Sequence, residues 1–397
     1  MVSLAACFPK PIARNPHSSP ELADLTRSPL FLRSHIRFSP VHESGISRGF
    51  PRGRRIAMCT DRTDSSSQPS DIPVLSSSEV LERLKQAREN LNGGRPFLAM
   101  YSSIVGGITT DPEAMVLPLD DHMVHRGHGV FDTAIIFDGF LYELDQHLER
   151  ILRSASMAKI DLPFDRETIR RILIQTVSVS GCRDGSLRYW LSAGPGDFLL
   201  SPSQCPRTAL YAIVIKKDTN INPTGVKVVT SSVPIKPSEF ATMKSVNYLP
   251  NVLSQMEAEA KGAYAGIWLD NEGFVAEGPN MNVAFVVNDG GCKELIMPRF
   301  DKILSGCTAK RALTLAERLV NGGKLRDAKV CDITVEDGMK ADEMMLLGSG
   351  VLIRPVIQWD EQIIGDGKEG PITKELLHLL LEDMRCAPPS VRVPVPY

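Results

Sequence analysis

From Pro96 onward short extended runs alternate with helix-periodic segments, and one polar stretch, 217–225, interrupts the alternation. Such a pattern predicts two mixed α+β units joined by a connector. In the smaller unit, 96–216, extended runs alternate with turn signals as far as Phe140, among them Val105-Gly106-Gly107 and Asp138-Gly139. Helices are expected at 146–159 and 166–180, with Asp145 and Asp165 placed to cap them, and strands at 186–193 and 209–216. In the larger unit, 226–385, strands are expected at 226–232, 264–269 and 282–287. One helix should open at Pro250 and close at Gly262, and another should run over 309–320. Residues 386–397 read as a proline-rich tail.

Upstream the composition changes. Residues 1–57 hold nine Lys or Arg and eight Ser against three acids, Glu21, Asp24 and Glu43. That mixture cannot bury a core and reads as a disordered organellar transit peptide. The run Arg52-Gly53-Arg54-Arg55-Ile56-Ala57-Met58-Cys59 looks like a processing region. The chloroplast stroma is the expected destination, the mitochondrion a second one, and a tail without any address the bland alternative. Residues 58–95 are read as a linker and a first helix. Ser76-Ser77-Ser78-Glu79 forms a capping box, and Val80, Leu81, Leu84, Ala87 and Leu91 follow at helical spacing up to Gly93-Gly94.

Whole-chain properties exclude several classes. A net charge of -2 over 397 residues gives no electrostatic reason to expect nucleic acid or an anionic membrane as partner. No apolar run approaches the roughly 18 residues of a membrane span. The eight cysteines form no Cys-x-x-Cys pair, so neither a zinc site nor a disulfide framework is expected, and a reducing compartment fits. His122, His125 and His128 are spaced three apart, but Gly127 and Gly129 break the helix that would bring them to one face. No metal is expected there.

Two segments carry the chemistry. Lys244, in Met243-Lys244-Ser245-Val246-Asn247-Tyr248-Leu249-Pro250-Asn251, stands just before the Pro250 helix, a boundary from which its amine can reach a cleft. Glu277, in Ala276-Glu277-Gly278-Pro279-Asn280-Met281-Asn282-Val283, precedes an extended run and is held at a strand entrance.

These segments resemble the fold-type IV pyridoxal-phosphate enzymes: branched-chain aminotransferases, D-amino-acid transaminases and aminodeoxychorismate lyases. The resemblance runs from about Met100 to about Asp360. The family's Lys-x-x-Asn segment is matched at Lys244 and Asn247, and its Glu-Gly-x-x-x-Asn segment at Glu277, Gly278 and Asn282. It implies an α+β fold of two mixed domains, with pyridoxal 5'-phosphate in the cleft between them. Lys244 would bond to the cofactor and move protons, while Glu277 would keep the pyridine nitrogen protonated. Arg150, in a His-x-x-Arg segment, would bind the phosphate with Gly306, Cys307 and Thr308 at a helix start, and Ser349 and Gly350 would form a second anion loop. Tyr248 would lie near the cofactor's phenolic oxygen.

On the substrate side the chain departs from the family's pattern. Phe131 stands where the bacterial D-amino-acid enzymes have a tyrosine, and the loop from Gly194 to Pro202 lacks their Arg-x-His pair. Arg188 and Arg354 are therefore the candidates for the substrate carboxylate. The implied reaction is transamination between a D-amino acid such as D-alanine and a 2-oxo acid, 2-oxoglutarate or pyruvate, in a homodimer. The alternatives are a lyase giving 4-aminobenzoate and pyruvate from 4-amino-4-deoxychorismate, a branched-chain L-amino-acid transaminase, and a non-catalytic cofactor carrier.

Overall fold

The computed structural model describes residues 72–89, 96–216 and 224–397. The transit peptide, the Ser-rich linker, the Gly93-Gly94 helix stop and most of the connector lie outside the described residues.

The first sheet uses β1 (Phe97–Ser102), β2 (Gly107–Thr109), β3 (Gly129–Phe137), β4 (Phe140–Tyr142), β5 (Gly185–Ser192) and β6 (Ala209–Lys216), paired antiparallel. Alternation along β3 decides its two faces. Val130, Asp132, Ala134 and Ile136 are buried, while Phe131, Thr133, Ile135 and Phe137 are half-buried on the other side. The buried face packs on α3 (Leu144–Met157) and α4 (Arg166–Ser180) through Leu148, Ile151, Ala155, Ile169, Leu173 and Val177.

The second sheet is mixed. It contains β7 (Val226–Thr230), β8 (Ala265–Ile267), β9 (Asn282–Asp289), β10 (Cys292–Met297), β11 (Asp327–Val330), β12 (Glu343–Gly348), β13 (Leu352–Trp359) and β14 (Gln362–Ile363). Both faces of its centre are covered. Ala284, Val286, Met345 and Leu347 meet the helices Cys307–Asn321 and Pro371–Cys386, while Val283, Phe285, Met344 and Leu346 pack with Val228 and Trp359. A strand covered on both sides needs a continuous apolar run, which Met344-Met345-Leu346-Leu347 supplies.

Two expectations need correction. Asp145 does not cap α3: Glu143 occupies that position at φ 53°, and Asp145, in the first turn, accepts from Arg166 and Arg170. Its carboxylate is drawn to the two guanidinium groups of α4. The segment 386–397 is not a free tail, because β15 (Arg392–Pro394) extends the first sheet beside β4, giving the order β15-β4-β3-β5-β6-β1-β2. Val391, Val393 and Val395 are buried, a period-two pattern that the surrounding prolines obscure. The first helix, Ser77–Glu89, is opened by the expected capping box, with Ser76 N–H donating to Glu79 Oε2 at 2.8 Å and Glu79 N–H to Ser76 Oγ at 3.4 Å, and it buries no residue.

Candidate active site

Lys244 is fixed before its side chain does anything. The Phe131 N–H donates to the Lys244 carbonyl at 2.9 Å, Val246 N–H donates to the Gly129 carbonyl at 3.0 Å, and Lys244 N–H donates to Ser154 Oγ at 3.2 Å. The segment is thereby stitched to the start of β3 and to α3, the rigid support that a reacting group requires. Its Nζ donates to Tyr248 Oη at 3.1 Å and lies 4.9 Å from the centre of the Phe131 ring. The Phe131 and Tyr248 rings meet edge to face at 5.1 Å. Tyr248 holds this place because it is the N-cap residue of the helix Leu249–Ala260, which Pro250 opens and Gly262 follows at φ 68°.

Glu277 faces the same space from the other sheet. Its backbone pairs with Trp268, and its side chain is buried, with Oε2 accepting from Leu304 N–H at 3.3 Å and a long contact from Asn282 Nδ2 at 3.5 Å. Burial pushes the carboxyl up to about 8, against the pull of Lys236, Lys244, the Leu304 N–H and Arg150. Such a group is poised to pair with a protonated ring nitrogen.

The anion end of the cleft is built on α3 and on the helix Cys307–Asn321. That helix begins two residues earlier than its apolar periodicity suggests, so Cys307 and Thr308 occupy its first turn behind the N-cap Gly306, which supplies no side-chain cap. Free N–H groups there suit a phosphate. A Cβ on Gly306 would come within 2.0 Å of Asn282 Oδ1, so only glycine keeps this turn against the strand. Ser305 Oγ is buried without a hydrogen-bond partner among the described residues. Arg150 is buried and donates to both oxygens of Asp132, at 2.8 and 2.7 Å, and to the Ser305 carbonyl at 3.3 Å. His147 contacts the same carboxylate at 2.8 Å. Burial would raise the Asp132 carboxyl, but Arg150 and His147 outweigh it and hold it well below the usual range. Burial would lower His147, but Cys307 and Asp132 outweigh that and raise it. This donor set fits a phosphorylated pyridine aldehyde: an amine at Lys244, a buried carboxyl at Glu277, and a cationic, N–H-lined cup.

One cleft of about 870 Å³ is lined by Lys244, Tyr248, Glu277, Arg150, Gly306, Cys307, Thr308, Ser349, Gly350, Phe131, Arg188 and Arg354. The structure thus brings together every site residue expected from the sequence. Ser349 and Gly350 form the turn between β12 and β13. Arg188 is exposed on β5, donating to Thr133 Oγ1 at 3.2 Å, and Arg354 on β13 lies 5.1 Å from the centre of the Tyr264 ring. Sequence reasoning missed Asp132 and Lys236, and gave no role of their own to His147 and Asn282, which lie in the two segments that carry Arg150 and Glu277. Asp132 was findable as a lone acid on the apolar face of a strand, which needs a partner. Lys236 has no such mark. Three histidines do come close, with His122 Nδ1 3.1 Å from His128 Nδ1, but among the described residues no group with a metal-holding arrangement occurs.

Comparison with known proteins bears on this cleft. Residues 129–359 match the family model "Amino-transferase class IV". The chain is 74% identical, over 95% of its length and 96% of the relative's, to the chloroplastic D-amino-acid transaminase of Arabidopsis thaliana. It is 30% identical to a putative branched-chain-amino-acid aminotransferase of Methanocaldococcus jannaschii, over 68% of this chain and 92% of that one. Among solved structures, the branched-chain amino acid aminotransferase from Thermobaculum terrenum, in its PLP-form, superposes with a TM-score of 0.64 at 21% identity, covering 73% of this chain and 94% of the other, which speaks to the fold. With the family model covering residues 129–359, more than half of the chain, and the Arabidopsis relative matched at 74% identity, the chain belongs to the class IV aminotransferases.

Proposed function

We propose that this chain is a chloroplast-targeted, pyridoxal-phosphate-dependent transaminase that moves the amino group of a D-amino acid such as D-alanine to a 2-oxo acid, 2-oxoglutarate or pyruvate. The observation that carries the reading is the 74% identity, over 95% of the chain, with a D-amino-acid transaminase. When bound, the cofactor supplies the carbonyl carbon that exchanges amines and the ring that spreads carbanion charge.

The chain's residues do the rest. Lys244 Nζ takes the α-proton of the amino acid in one half-reaction and delivers a proton to the α-carbon of the new amino acid in the other. Tyr248 Oη, 3.1 Å away, orients that amine. Glu277 would keep a proton on the ring nitrogen. Arg150, gripped by Asp132, would bind the phosphate together with the N–H groups of Gly306, Cys307 and Thr308, with Ser349 and Gly350 as a second anion loop. Phe131 packs beside the amine and shapes the substrate wall. Arg188 and Arg354 add positive charge along the cleft, which draws carboxylate substrates in.

The protein acts as a homodimer. Phe198, Leu199 and Leu200 are 56%, 54% and 82% exposed on one loop, apolar side chains that a second copy would cover. Light scattering of the purified protein should give twice the chain mass.

The deciding experiment takes protein starting near Met58, loaded with pyridoxal 5'-phosphate, and offers it D-alanine or L-leucine with 2-oxoglutarate, or 4-amino-4-deoxychorismate alone. Pyruvate from D-alanine, dependent on the acceptor, is expected. Turnover of L-leucine alone, or 4-aminobenzoate without any D-alanine activity, would replace this reading.

A further inference from the structure

Transamination makes the same demand twice, because the amino acid and the oxo acid both carry a carboxylate on the reacting carbon. That carboxylate carbon lies about 2.5 Å from the amine nitrogen, so its counter-charge must stand close to where Lys244 works. Besides Lys244, the cleft holds Arg150, Arg188, Lys236 and Arg354. Arg150 is engaged by both oxygens of Asp132. Arg188 lies 5.7 Å from the centre of the Phe131 ring, but it is exposed and donates to Thr133 Oγ1. Arg354 lies over the Tyr264 ring, not over either ring that flanks Lys244.

Lys236 is neither exposed like Arg188 nor ion-paired like Arg150. Its Nζ lies 5.1 Å from the centre of the Tyr248 ring, and Lys244 Nζ lies 5.7 Å from the same centre. Among the described residues Lys236 makes no side-chain hydrogen bond and no ion pair. Burial lowers its pKa, with Tyr248 and Glu277 opposing and Lys244 reinforcing the effect. A half-buried ammonium without an anionic partner is costly unless a ligand supplies one. The backbone that carries it is also pinned: Trp268 Nε1 donates to the Val233 carbonyl at 2.8 Å, and Ser232 N–H donates to Glu257 Oε2 at 2.9 Å. The segment leading to Lys236 is thereby tied to Trp268 and Glu257.

Resting on the transaminase reading above, we propose that Lys236 receives the α-carboxylate of both the amino-acid and the oxo-acid substrate. It does so from the Tyr248 side of Lys244, in place of the arginine and histidine missing from the loop Gly194–Pro202.

The test compares wild-type holoenzyme with Lys236→Met and Lys236→Arg. In Lys236→Met the KM values for D-alanine, pyruvate and 2-oxoglutarate should all rise about tenfold to a hundredfold, with kcat less affected. Binding of propionate to the holoenzyme, followed by calorimetry, should weaken in parallel. The affinity of the cofactor-free protein for pyridoxal 5'-phosphate and the absorbance maximum of the loaded protein should stay as in wild type. Lys236→Arg should recover most of both losses. Unchanged KM and propionate binding would overturn the proposal. So would a defect confined to 2-oxoglutarate, which would place Lys236 on the distal carboxylate, or a loss of cofactor affinity, which would place it on the cofactor. Failure of wild-type enzyme to turn over D-alanine would instead sink the transaminase reading, while the propionate measurement still reports on Lys236.

Discussion

Asp132 grips Arg150 from below the sheet, with Nε to Oδ2 at 2.8 Å and Nη2 to Oδ1 at 2.7 Å and both side chains withdrawn from water. The guanidinium that faces the phosphate cup is therefore aimed by a residue on the core face of β3, outside the cleft lining. Removing one partner of such a pair leaves a buried charge uncompensated, at a cost of about 3–5 kcal/mol. Asp132→Asn should lower the melting temperature and weaken pyridoxal-phosphate binding in the same variant. A cofactor affinity equal to wild type would mean that Arg150 is positioned by something else.

Tyr248 gives a cleaner separation of orientation from binding. Tyr248→Phe keeps the ring that packs on Phe131 and removes the oxygen that Lys244 Nζ reaches. The loss of one hydrogen bond to a charged group corresponds to about 1.5–3 kcal/mol. On the proposed mechanism it should appear in kcat, because there the bond serves the proton-transferring amine and not the substrate. Steady-state kinetics should show kcat down by about one to two orders of magnitude with KM within a few-fold of wild type. A variant with raised KM and intact kcat would move Tyr248 to the substrate side.

Gly306 tests the cup. The methyl group of Gly306→Ala must displace Asn282 Oδ1 from a 2.0 Å approach, and Asn282 also donates to the Leu304 carbonyl at 2.9 Å. The turn leading into the helix would shift away from β9, at a cost of about 1–3 kcal/mol. Fluorescence titration should show weaker cofactor binding, while the cofactor-free protein loses little of its secondary structure by circular dichroism.

Much of this was legible in the sequence, for reasons that can be named. The alternation of strands and helices rests on local periodicity, so β5, β6, α4 and the Leu249–Ala260 helix fall where their patterns put them. Lys244, Glu277 and Arg150 lie in segments whose letters match a family. What escaped depended on distant partners. Asp145 looks like a cap because capping is local, whereas the pull of Arg166 and Arg170 from the next helix is not. β15 pairs with β4 about 250 residues earlier in the chain, beyond the reach of any window. Lys236 becomes notable only once Tyr248 is folded against it.

Glu277 links the site to pH. Burial raises its carboxyl from 4.5 to about 8 in the cofactor-free protein. Across that interval the folded state keeps a proton that the unfolded chain has released. The cofactor-free protein therefore loses stability as pH rises from about 4.5 to about 8, by up to about 1.4 kcal/mol per pH unit, and loses no more from this group above that window. Glu277→Gln removes the titration while retaining an oxygen for the Leu304 N–H. Melting temperatures of the two cofactor-free proteins, measured from pH 5 to pH 9, should diverge in favour of the variant up to about pH 8 and then run parallel. Loading with pyridoxal 5'-phosphate should reverse the order, because a protonated ring nitrogen gives the buried carboxylate the partner it lacks and the amide cannot use it. Parallel curves throughout would show that Glu277 is ionised without the cofactor.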